Sequence, residues 1–480
     1  MEIVDTPTFQ RLRRIKQLAM ASQVYPGADH SRFVHSLGVF SIMSRLVTRL
    51  NQLASKEVLV ADQEKLRLAA LLHDIGHYPY SHLMEHVKLP SPKGEAASTA
   101  IEPKGTADHG SETPGEYPAH EDLGAWIIKQ RKDVSGVLEG YGFDPEEIGS
   151  TILGKHGGKG YYNQLATSSL DVDRLDYLLR DAHYTGVPFG GVDIEYILRS
   201  ISFDREQNIC LDPKCTASAE HFLLSRWYNY QAVVYQKTVM GMEALSRQLL
   251  QELVNRQELP QTQEEIYRLA DSDGGFLTFD DQFVDSKIRA LAADVLTSDP
   301  VGAPLRAMAY ALLNRVKPRC VFEAYEEPRP HSNSTEVELF DRQVPANLDS
   351  WADKFDVPRR FWLMADSQTR SLEEVRRYGS LTDEMADKEG VASELSQAAK
   401  KVIRIKKPDG NSRFLVDEPT SLLNQLWESK FRVVRVYVLF PEEVRMVAGS
   451  FVGRQGRLRF KRRAQQIQAG ISGDLGLAEH

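Results

Sequence analysis

The sequence predicts a mainly α-helical fold with a smaller α+β lobe at the C-terminal end. Helical patterns follow one another through the first two thirds of the chain, and residues 223–253 form the longest of them. After about residue 317, runs rich in β-branched and aromatic residues replace these patterns, as in 432–440. We therefore expect a helical core over residues 1–316 and an α+β lobe over residues 317–480.

The composition is that of an ordinary globular protein. Of its 480 residues, 42% are hydrophobic and 26% are charged, and the formal net charge of −8 argues against a general affinity for nucleic acid. No apolar run reaches the roughly 18 residues of a membrane span, and the N-terminus lacks the apolar core of a signal peptide. Three cysteines, Cys210, Cys215 and Cys320, provide no disulfide framework. We therefore expect a cytoplasmic protein without membrane contact.

The N-terminal segment is predicted as a helix over residues 2–23 with mixed apolar and basic faces. The Pro-Gly pair at 26–27 then predicts a turn, and His30 behind it is predicted as a loop residue. A second helix begins at His35. Arg32 precedes His35 by three residues, so the two side chains can share one pocket.

The segment 66–86 concentrates ionisable side chains at the end of an apolar helix. A run of good helix formers ends at His73 and Asp74, and a glycine and a proline then interrupt the helix. Burying a histidine beside a carboxylate is costly unless a partner compensates both, and a divalent metal ion suits both ligand types. The alternative is an ordinary capped helix end. The histidines that follow within thirteen residues of His73 are His77, His82 and His86.

The middle of the chain contains an insertion and two further helical patterns. Residues 90–117 are polar and aperiodic, which predicts a loop or a disordered insertion. A helix is expected to begin at His120, because acidic residues in its first turn suit the helix dipole. Asp173, Tyr177 and Asp181 have the i, i+4, i+8 spacing that puts them on one helix face. The alternative for these acids is a solvated acidic face.

The C-terminal lobe is predicted to contain strands near 320–325, 361–364 and 432–440, and helices near 388–402 and 441–449. A basic run lies close to the end of the chain. It could contact nucleic acid, and a solvated tail is the alternative. Its cations are Arg454, Arg457, Arg459, Lys461, Arg462 and Arg463.

Several of these segments together resemble the HD-domain phosphohydrolases, most closely the deoxynucleoside triphosphate triphosphohydrolases. The resemblance rests on RFVHSLGV at 32–39, HDIGHYPYSH at 73–82, AHEDLG at 119–124 and DVDRLDY at 171–177. The segments DTP, FQRLR and IKQL between residues 5 and 18 match the same family. The likeness runs from about Asp5 to about Lys237, and it implies that the helical core is an HD domain.

The resemblance implies a metal site and a set of substrate contacts. One divalent transition metal, for which Mn, Fe, Ni and Zn are all candidates, would be bound by His35, His73, Asp74 and Asp173. Mg²⁺ would accompany the nucleotide triphosphate. The arginines would hold phosphate oxygens, and Asp181 would accept a hydrogen bond from the 3′-hydroxyl of the sugar. The implied substrate contacts are Gln17, Leu18, Arg32, Arg174, Tyr177, Asp181 and Arg226.

The residues that the resemblance implies for catalysis are His77, His82, His120, Glu121 and Asp74, with Glu85 as an alternative to Glu121. His82 and His120 are the acid–base candidates, because an imidazole that titrates near pH 7 can protonate a leaving oxygen. Water would attack the α-phosphorus and yield deoxynucleoside and inorganic triphosphate. The alternatives are another HD-type activity, such as a phosphodiesterase or 5′-nucleotidase, and a nucleotide-sensing or nucleic-acid-binding scaffold.

The resemblance also implies regulation and assembly. Asp5, Gln10, Arg13 and Lys237 match part of a site for an activating nucleotide between subunits. The family's enzymes are symmetric oligomers, so we expect a homo-oligomer, with a tetramer favoured over a dimer. Val234 stands where a family member has a tyrosine against the deoxyribose, which implies a residual hydrolysis of ribonucleotides.

Overall fold

The computed structural model divides the chain into two compact units, each assembled from segments far apart in sequence. Unit 1 comprises Met1–Tyr230, Val254–Phe283 and Val375–Gln425, and unit 2 comprises Gln231–Leu253, Val284–Glu374 and Leu426–His480. The sequence predicts a single domain boundary, between residues 316 and 317, and this boundary stays a prediction. The residues that the structure describes are 2–53, 60–90, 115–155, 165, 170–206, 208–293, 303–326, 335–367, 370–371, 403–418, 421–422, 430–449 and 453–477.

The described residues are mainly α-helical, which confirms the predicted fold class. In chain order the α-helices are α1 Glu2–Asp5, α2 Pro7–Gln10, α3 Arg32–Leu53, α4 Val60–Leu72, α5 His82–Glu85, α6 His120–Gln130, α7 Lys132–Gly140, α8 Pro145–Ile152, α9 Val172–Thr185, α10 Ile194–Ser200, α11 Thr216–Asn229, α12 Lys237–Asn255, α13 Gln263–Asp271, α14 Asp273–Thr278, α15 Asp281–Ala292, α16 Ala303–Leu313, α17 Thr335–Arg342, α18 Val344–Lys354, α19 Pro441–Gly449 and α20 Arg454–Asp474. The strands are β1 Ile201–Phe203, β2 Ile209–Leu211, β3 Arg319–Glu326, β4 Trp362–Asp366, β5 Arg370–Ser371, β6 Arg404–Lys406, β7 Ser412–Phe414 and β8 Lys430–Val438.

Unit 1 adds a small four-stranded sheet to its helices, in the order β1-β2-β6-β7. β1 pairs antiparallel with β2, where Ile201 lies opposite Leu211, and β2 pairs parallel with β6 through Leu211 and Ile405. β6 and β7 are antiparallel. The sequence analysis does not predict this sheet, because strands of three residues are too short for an alternating pattern to be recognised.

The predicted single helix over residues 2–23 is wrong. The structure has in its place α1, α2 and two 3₁₀ turns, Arg11–Arg14 and Ala19–Gln23. Thr6 caps α2 through its side-chain oxygen, and Pro7 follows at the first helical position, where its missing N–H costs least. Further on, Lys16 forms an antiparallel bridge with Ser31, so the backbone there is extended. Long-range pairing thus overrides the local helical pattern.

The helical pattern over residues 223–253 is also interrupted. A π-helical turn, Tyr230–Val234, separates α11 from α12. The side-chain oxygen of Gln236 accepts hydrogen bonds from the backbone N–H groups of Thr238 and Val239, at 2.6 and 2.9 Å, and so caps a new helix. An apolar periodicity does not reveal a cap of this kind.

Unit 2 combines helices with an antiparallel sheet in which β8 is the central strand. β3 and β4 pair with β8 on either side, and β5 pairs with β8 as well. These strands confirm the three runs that the sequence analysis predicts, and α19 confirms the predicted helix near 441–449. The predicted helix near 388–402 lies outside the described residues, as do residues 91–114 of the predicted insertion.

The basic run near the end of the chain forms the beginning of α20. Arg457, Arg459, Lys461 and Arg462 are exposed there, whereas Phe460 is buried. Contact of this run with nucleic acid stays a prediction. Among the helices that the structure describes, none combines the length and the hydropathy that a membrane crossing requires.

Glycines allow the close packing that brings the functional segments of unit 1 together. A Cβ at Gly76 would lie 2.2 Å from the carbonyl oxygen of His120 and 2.4 Å from the backbone nitrogen of Gly124. The turn after α4 therefore lies directly against the backbone of α6. At Gly38 on α3, a Cβ would lie 1.9 Å from Oδ1 of Asp176 on α9.

The substitution Gly76→Ala should destabilise the protein by about 1–3 kcal/mol, because the new methyl group overlaps backbone atoms that cannot move freely. The matched control is Gly136→Ala inside α7, where a Cβ would meet nothing within 4 Å. Alanine in a helix interior should stabilise that site by up to about 1 kcal/mol. Thermal melts followed by circular dichroism should give a lower Tm for Gly76→Ala only. Equal Tm values for both variants would contradict the close approach.

Candidate active site

Four ionisable side chains from three segments of unit 1 converge at one point. His35 belongs to α3, His73 and Asp74 directly follow α4, and Asp173 lies in the first turn of α9. Nε2 of His35 lies 2.9 Å from Oδ1 of Asp173 and 3.8 Å from Oδ2 of Asp74. Nε2 of His73 lies 3.2 Å from Oδ1 of Asp74 and 3.8 Å from Oδ1 of Asp173. The structure thus brings together the four residues that the resemblance implies as metal ligands.

The other ring nitrogen of each histidine fixes the orientation of its imidazole. Nδ1 of His35 lies 2.7 Å from Oδ2 of Asp176, whose carboxylate also accepts hydrogen bonds from Arg180 at 2.7 and 2.9 Å. Nδ1 of His73 lies 2.9 Å from the carbonyl oxygen of Ala70. Because both contacts need a proton on Nδ1, Nε2 is the nitrogen of each ring that would bind a metal. These Nε2 atoms are buried and make no hydrogen bond within the described part of the chain.

The charges around this point favour a bound cation. Burial by itself would raise the pKa of Asp74, but the guanidinium of Arg32, which donates to Oδ2 at 2.7 Å, helps to hold it well below its usual value. Burial would lower the pKa of His35, yet neighbouring carboxylates, Asp173 first among them, raise it to about 10. Two imidazole nitrogens and two carboxylates suit a divalent transition metal and leave positions for water and substrate. The residues present therefore fit the metal that the resemblance implies.

A second cluster adjoins the first through Asp74, whose Oδ1 lies 3.2 Å from Nε2 of His77. The ring of His77 stacks on that of His120, with centroids 3.7 Å apart. The ring of His82 stands nearly perpendicular to both, at 5.0 and 5.3 Å. Glu85 links the histidines, because its carboxylate lies 2.7 Å from Nδ1 of His120 and 3.0 Å from Nδ1 of His82.

The surroundings of His77 and His120 shift the pKa values of the two rings in opposite directions. Burial holds the pKa of His77 well below its usual value, so its ring is neutral. Burial would also lower the pKa of His120, but Glu121 and Glu85 raise it to about 9 and keep that ring protonated at neutral pH. One donor atom from each of His77, His82, Glu85 and His120 lies within 4.8 Å of the others, a spacing that a metal could also bridge. Within this cluster, the carboxylate of Glu85 and the ring of His120 balance each other's charge, and the acid–base role of the cluster stays a prediction.

The turn that leads into α5 has a strained backbone. Tyr80 and Ser81 have φ angles of 57° and 53°, which residues with side chains seldom adopt. The N–H of Tyr80 donates to Asp281 at 2.8 Å. The hydroxyl of Ser81 donates to the carbonyl of Lys16 at 2.8 Å and accepts from Arg32 at 2.9 Å. These contacts hold the conformation that presents the second cluster.

The two aspartates at the start of α9 have separate tasks. Asp171 is the N-cap of the helix, and its Oδ1 accepts from the N–H of Arg174 at 2.8 Å. Its Oδ2 accepts from the Arg174 side chain at 2.9 Å. Asp173 instead faces His35. Burial would raise the pKa of Asp173, but His35 lowers it, so this carboxylate is ionised where a ligand is needed.

The remaining predicted substrate residues surround the same region of unit 1. Arg32 reaches the carbonyl oxygen of Gln17 at 3.5 Å, and Leu18, the next residue, is half-buried. Burial raises the pKa of Tyr177, and the guanidinium groups of Arg226 and of Arg174 oppose that shift. Both arginines therefore act electrostatically on the Tyr177 phenol.

The predicted activator contacts belong to both compact units. In unit 1, Asp5 is exposed, Gln10 donates to a backbone carbonyl at 2.7 Å, and Arg13 donates to Gln10 at 2.6 Å. In unit 2, Nζ of Lys237 lies 2.7 Å from the carboxylate of Glu323. The activator site and the oligomeric state stay predictions.

The sequence did not identify Asp176 or the contact of His30 in this region, and it indicated Glu85 only as an alternative to Glu121. Glu85 lies three residues after His82, and helical spacing could have indicated the contact. Asp176 lies three residues after Asp173, but no local pattern relates it to His35. His30, predicted only as a loop residue, is buried. Its partner follows it by 151 residues, and only packing brings the two together.

Comparisons with known proteins identify the family that this part of the chain is similar to. Residues 32–181, from Arg32 to Asp181, match the HD domain family model. The chain is 34% identical over 251 residues to the protein YwfO of Bacillus subtilis, covering 52% of this chain and 51% of the relative. It is 30% identical over 241 residues to the deoxynucleoside triphosphate triphosphohydrolase SAMHD1 of Homo sapiens, covering 45% of this chain and 36% of the relative. The chain spans about half the length, or less, of the curated relatives it matches.

A solved structure resembles the fold over most of the chain. A phosphohydrolase of Bacteroides thetaiotaomicron superposes with a TM-score of 0.62 and covers 91% of this chain and 94% of its own. Its sequence is 22% identical, so the likeness concerns the fold alone. The resemblance stated from the sequence motifs is confirmed by these matches, since residues 32–181 match the HD domain family model.

The assignment of Asp173 as a ligand predicts a loss of metal in Asp173→Asn, because one of four donors loses its charge. Asp171→Asn is the matched control, since it removes a neighbouring carboxylate while asparagine still caps α9. After reconstitution with Mn²⁺ and gel filtration, elemental analysis should find metal retained in Asp171→Asn and depleted in Asp173→Asn. The reverse pattern would make Asp171 the ligand.

Proposed function

We propose that this protein, with its HD domain at residues 32–181, is a metal-dependent hydrolase that converts deoxynucleoside triphosphates into deoxynucleoside and inorganic triphosphate. The observation that carries the proposal is the junction of two clusters at Asp74: four metal donors on one side, and acid–base histidines on the other. Relatives named as deoxynucleoside triphosphate triphosphohydrolases support the choice of substrate.

Substrate binding depends on positive charge, since the triphosphate is a polyanion and the chain as a whole is acidic. Arg32, Arg174 and Arg226 hold phosphate oxygens and neutralise the charge that develops on them. His35, His73, Asp74 and Asp173 would hold a divalent metal, which when bound would supply positive charge to polarise a phosphate oxygen and to lower the pKa of water towards about 7. Mn, Fe, Ni and Zn all suit such a donor set, while Mg²⁺ accompanies the substrate.

Proton transfer is the task of the second cluster. His77 is neutral and donates a hydrogen bond to an α-phosphate oxygen. The hydroxyl part of water joins the α-phosphorus, the bond from phosphorus to the 5′-oxygen breaks, and the 5′-oxygen needs a proton. His82, the most exposed of the three rings, supplies that proton and takes up the proton that the attacking water loses, so that no net proton is consumed. Glu85 orients His82 and pairs with protonated His120.

A product assay tests this proposal. The metal-reconstituted protein, incubated with each dNTP and each NTP, should release deoxynucleoside and intact triphosphate in equal amounts, as resolved by anion-exchange chromatography. Turnover of NTPs should be slower but measurable. Asp173→Asn should lack activity, whereas Asp171→Asn should retain it. Release of nucleotide monophosphate and pyrophosphate would overturn the proposed bond cleavage, and turnover of phosphodiesters or nucleoside monophosphates alone would favour the other HD-type activities.

The protonation of His120 predicts how activity depends on pH. Its pKa is raised from 6.5 to about 9, so its charge, and the stability that this charge contributes, is complete below pH 6.5 and lost as the pH rises through about 9. We expect kcat to fall on the basic side near pH 9. Glu85→Gln should move that fall to lower pH, because one of the carboxylates that stabilise the imidazolium is removed.

The control for Glu85→Gln is Glu146→Gln, which removes an exposed carboxylate paired with Lys129. Profiles of kcat against pH for the three proteins provide the measurement. If Glu85→Gln only lowers kcat by a constant factor at every pH, then Glu85 does not set the protonation of the acid–base cluster.

A further inference from the structure

A buried histidine–aspartate pair lies close to the site, and the reaction as described does not explain it. Nε2 of His30 lies 2.9 Å from Oδ1 of Asp181, and the two residues are only 4% and 2% exposed. Asp181 lies on α9, one and two helical turns beyond Tyr177 and Asp173, on the face that carries both. The electrostatic influence of Arg32 and His35 reaches this carboxylate. The pair therefore belongs to the surroundings of the metal donors.

Several contacts fix the ring of His30. It stacks on Tyr184 of α9, with centroids 4.5 Å apart and planes inclined by 18°. A Cβ at Gly27 would lie 2.4 Å from the carbonyl oxygen of Tyr184, so the loop lies directly against the helix. The carbonyl oxygen of His30 accepts from the N–H of Gln17 at 3.0 Å. The loop is thus tied both to α9 and to Gln17, one of the substrate contacts that the resemblance implies.

The polarity of His30 is not needed for packing. A phenylalanine ring could stack on Tyr184 in the same way without bringing polar atoms into the interior. The second ring nitrogen, Nδ1, is buried and has no hydrogen-bond partner among the described residues, which is an unfavourable arrangement. Within the described part of the chain, the polar contact that the ring makes is with Asp181. The benefit of a histidine at this position therefore has to come from that carboxylate.

His30 affects both the orientation and the charge of the Asp181 carboxylate. The Nε2–H group occupies one carboxylate oxygen and so restricts the rotation of the group. Burial raises the pKa of Asp181, and the hydrogen bond from His30 opposes that shift. An ionised carboxylate can only accept hydrogen bonds, whereas a protonated one can also donate. His30 thus maintains Asp181 as a directed acceptor.

We infer that His30 is a positioning residue, which holds the carboxylate of Asp181 as an acceptor for the 3′-hydroxyl of the substrate sugar. The inference rests on the proposed function, from which it takes the deoxynucleotide and the contact between Asp181 and the sugar. A site built to bind a hydroxyl group strongly rejects an analogue without it, because its own polar group is then left unpaired. His30 accordingly determines how well the protein distinguishes a nucleotide with a 3′-hydroxyl from one without.

The test uses variants that separate hydrogen bonding from packing. His30→Phe keeps a ring against Tyr184 and removes the donor, whereas His30→Gln keeps an amide N–H near the position of Nε2. Asp181→Asn removes the charge of the acceptor. Isothermal titration calorimetry measures the binding of the four dNTPs and of their 2′,3′-dideoxy counterparts in the presence of a chelator, so that no turnover occurs. Circular dichroism melts establish that the variants are folded.

Wild type should bind the dNTPs more tightly than the dideoxynucleotides. His30→Phe should reduce this ratio of Kd values by roughly tenfold, the effect of one lost hydrogen bond, and His30→Gln should restore most of it. In the Asp181→Asn background, His30→Phe should change the ratio no further. The inference is overturned if His30→Phe weakens both ligands equally, or if wild type binds both equally or neither. If wild type discriminates in binding but releases no triphosphate, the proposed function fails while the inference on His30 stands.

Discussion

The burial of Asp74 among other ionisable side chains is the constraint on which the rest of unit 1 depends. A buried carboxylate is tolerated only when opposite charges and hydrogen bonds compensate its loss of water. Asp74 meets Arg32 through one oxygen and faces His73 and His77 with the other. Each of these side chains comes from a segment that must be held in place if the charge of Asp74 is to be compensated. The burial of one carboxylate therefore constrains the packing of several helices. The close approach at Gly76 is one consequence, because it brings α6 against the turn after α4.

The two clusters use the same kinds of side chain for different purposes. In the first, carboxylates lie beside both ring nitrogens of His35 and raise its pKa, and this concentration of negative charge favours a cation. In the second, His77 has a stacked histidine as its neighbour and is neutral, whereas His120 has two carboxylates and is charged. Environment, and not residue type, therefore assigns the chemistry of each imidazole. Because Asp74 contacts both clusters, a change in charge on one side is felt on the other.

Local features of the chain were predictable because they depend on residues a few positions apart. The apolar run that ends at His73 predicted the helix now seen as α4, and the acidic first turn predicted the start of α6 at His120. Runs rich in β-branched and aromatic residues predicted β3, β4 and β8. The motifs also identified the HD domain, since they combine residue types whose spacing reflects one fold. The motifs do not establish which individual residues act as ligands, because they only suggest these roles.

What the sequence by itself determined were thus helices such as α4 and α6, the longer strands and the candidate donors, because periodicity and capping act within a few residues. Tertiary structure alone decided which donors meet. It turned Asp171 into a helix cap while Asp173 faces His35, and it broke the N-terminal helix because Lys16 pairs with Ser31. It also joined His30 to a carboxylate 151 residues later. Such contacts depend on how helices pack, and that is set by side chains distributed over the whole unit, which no local pattern records.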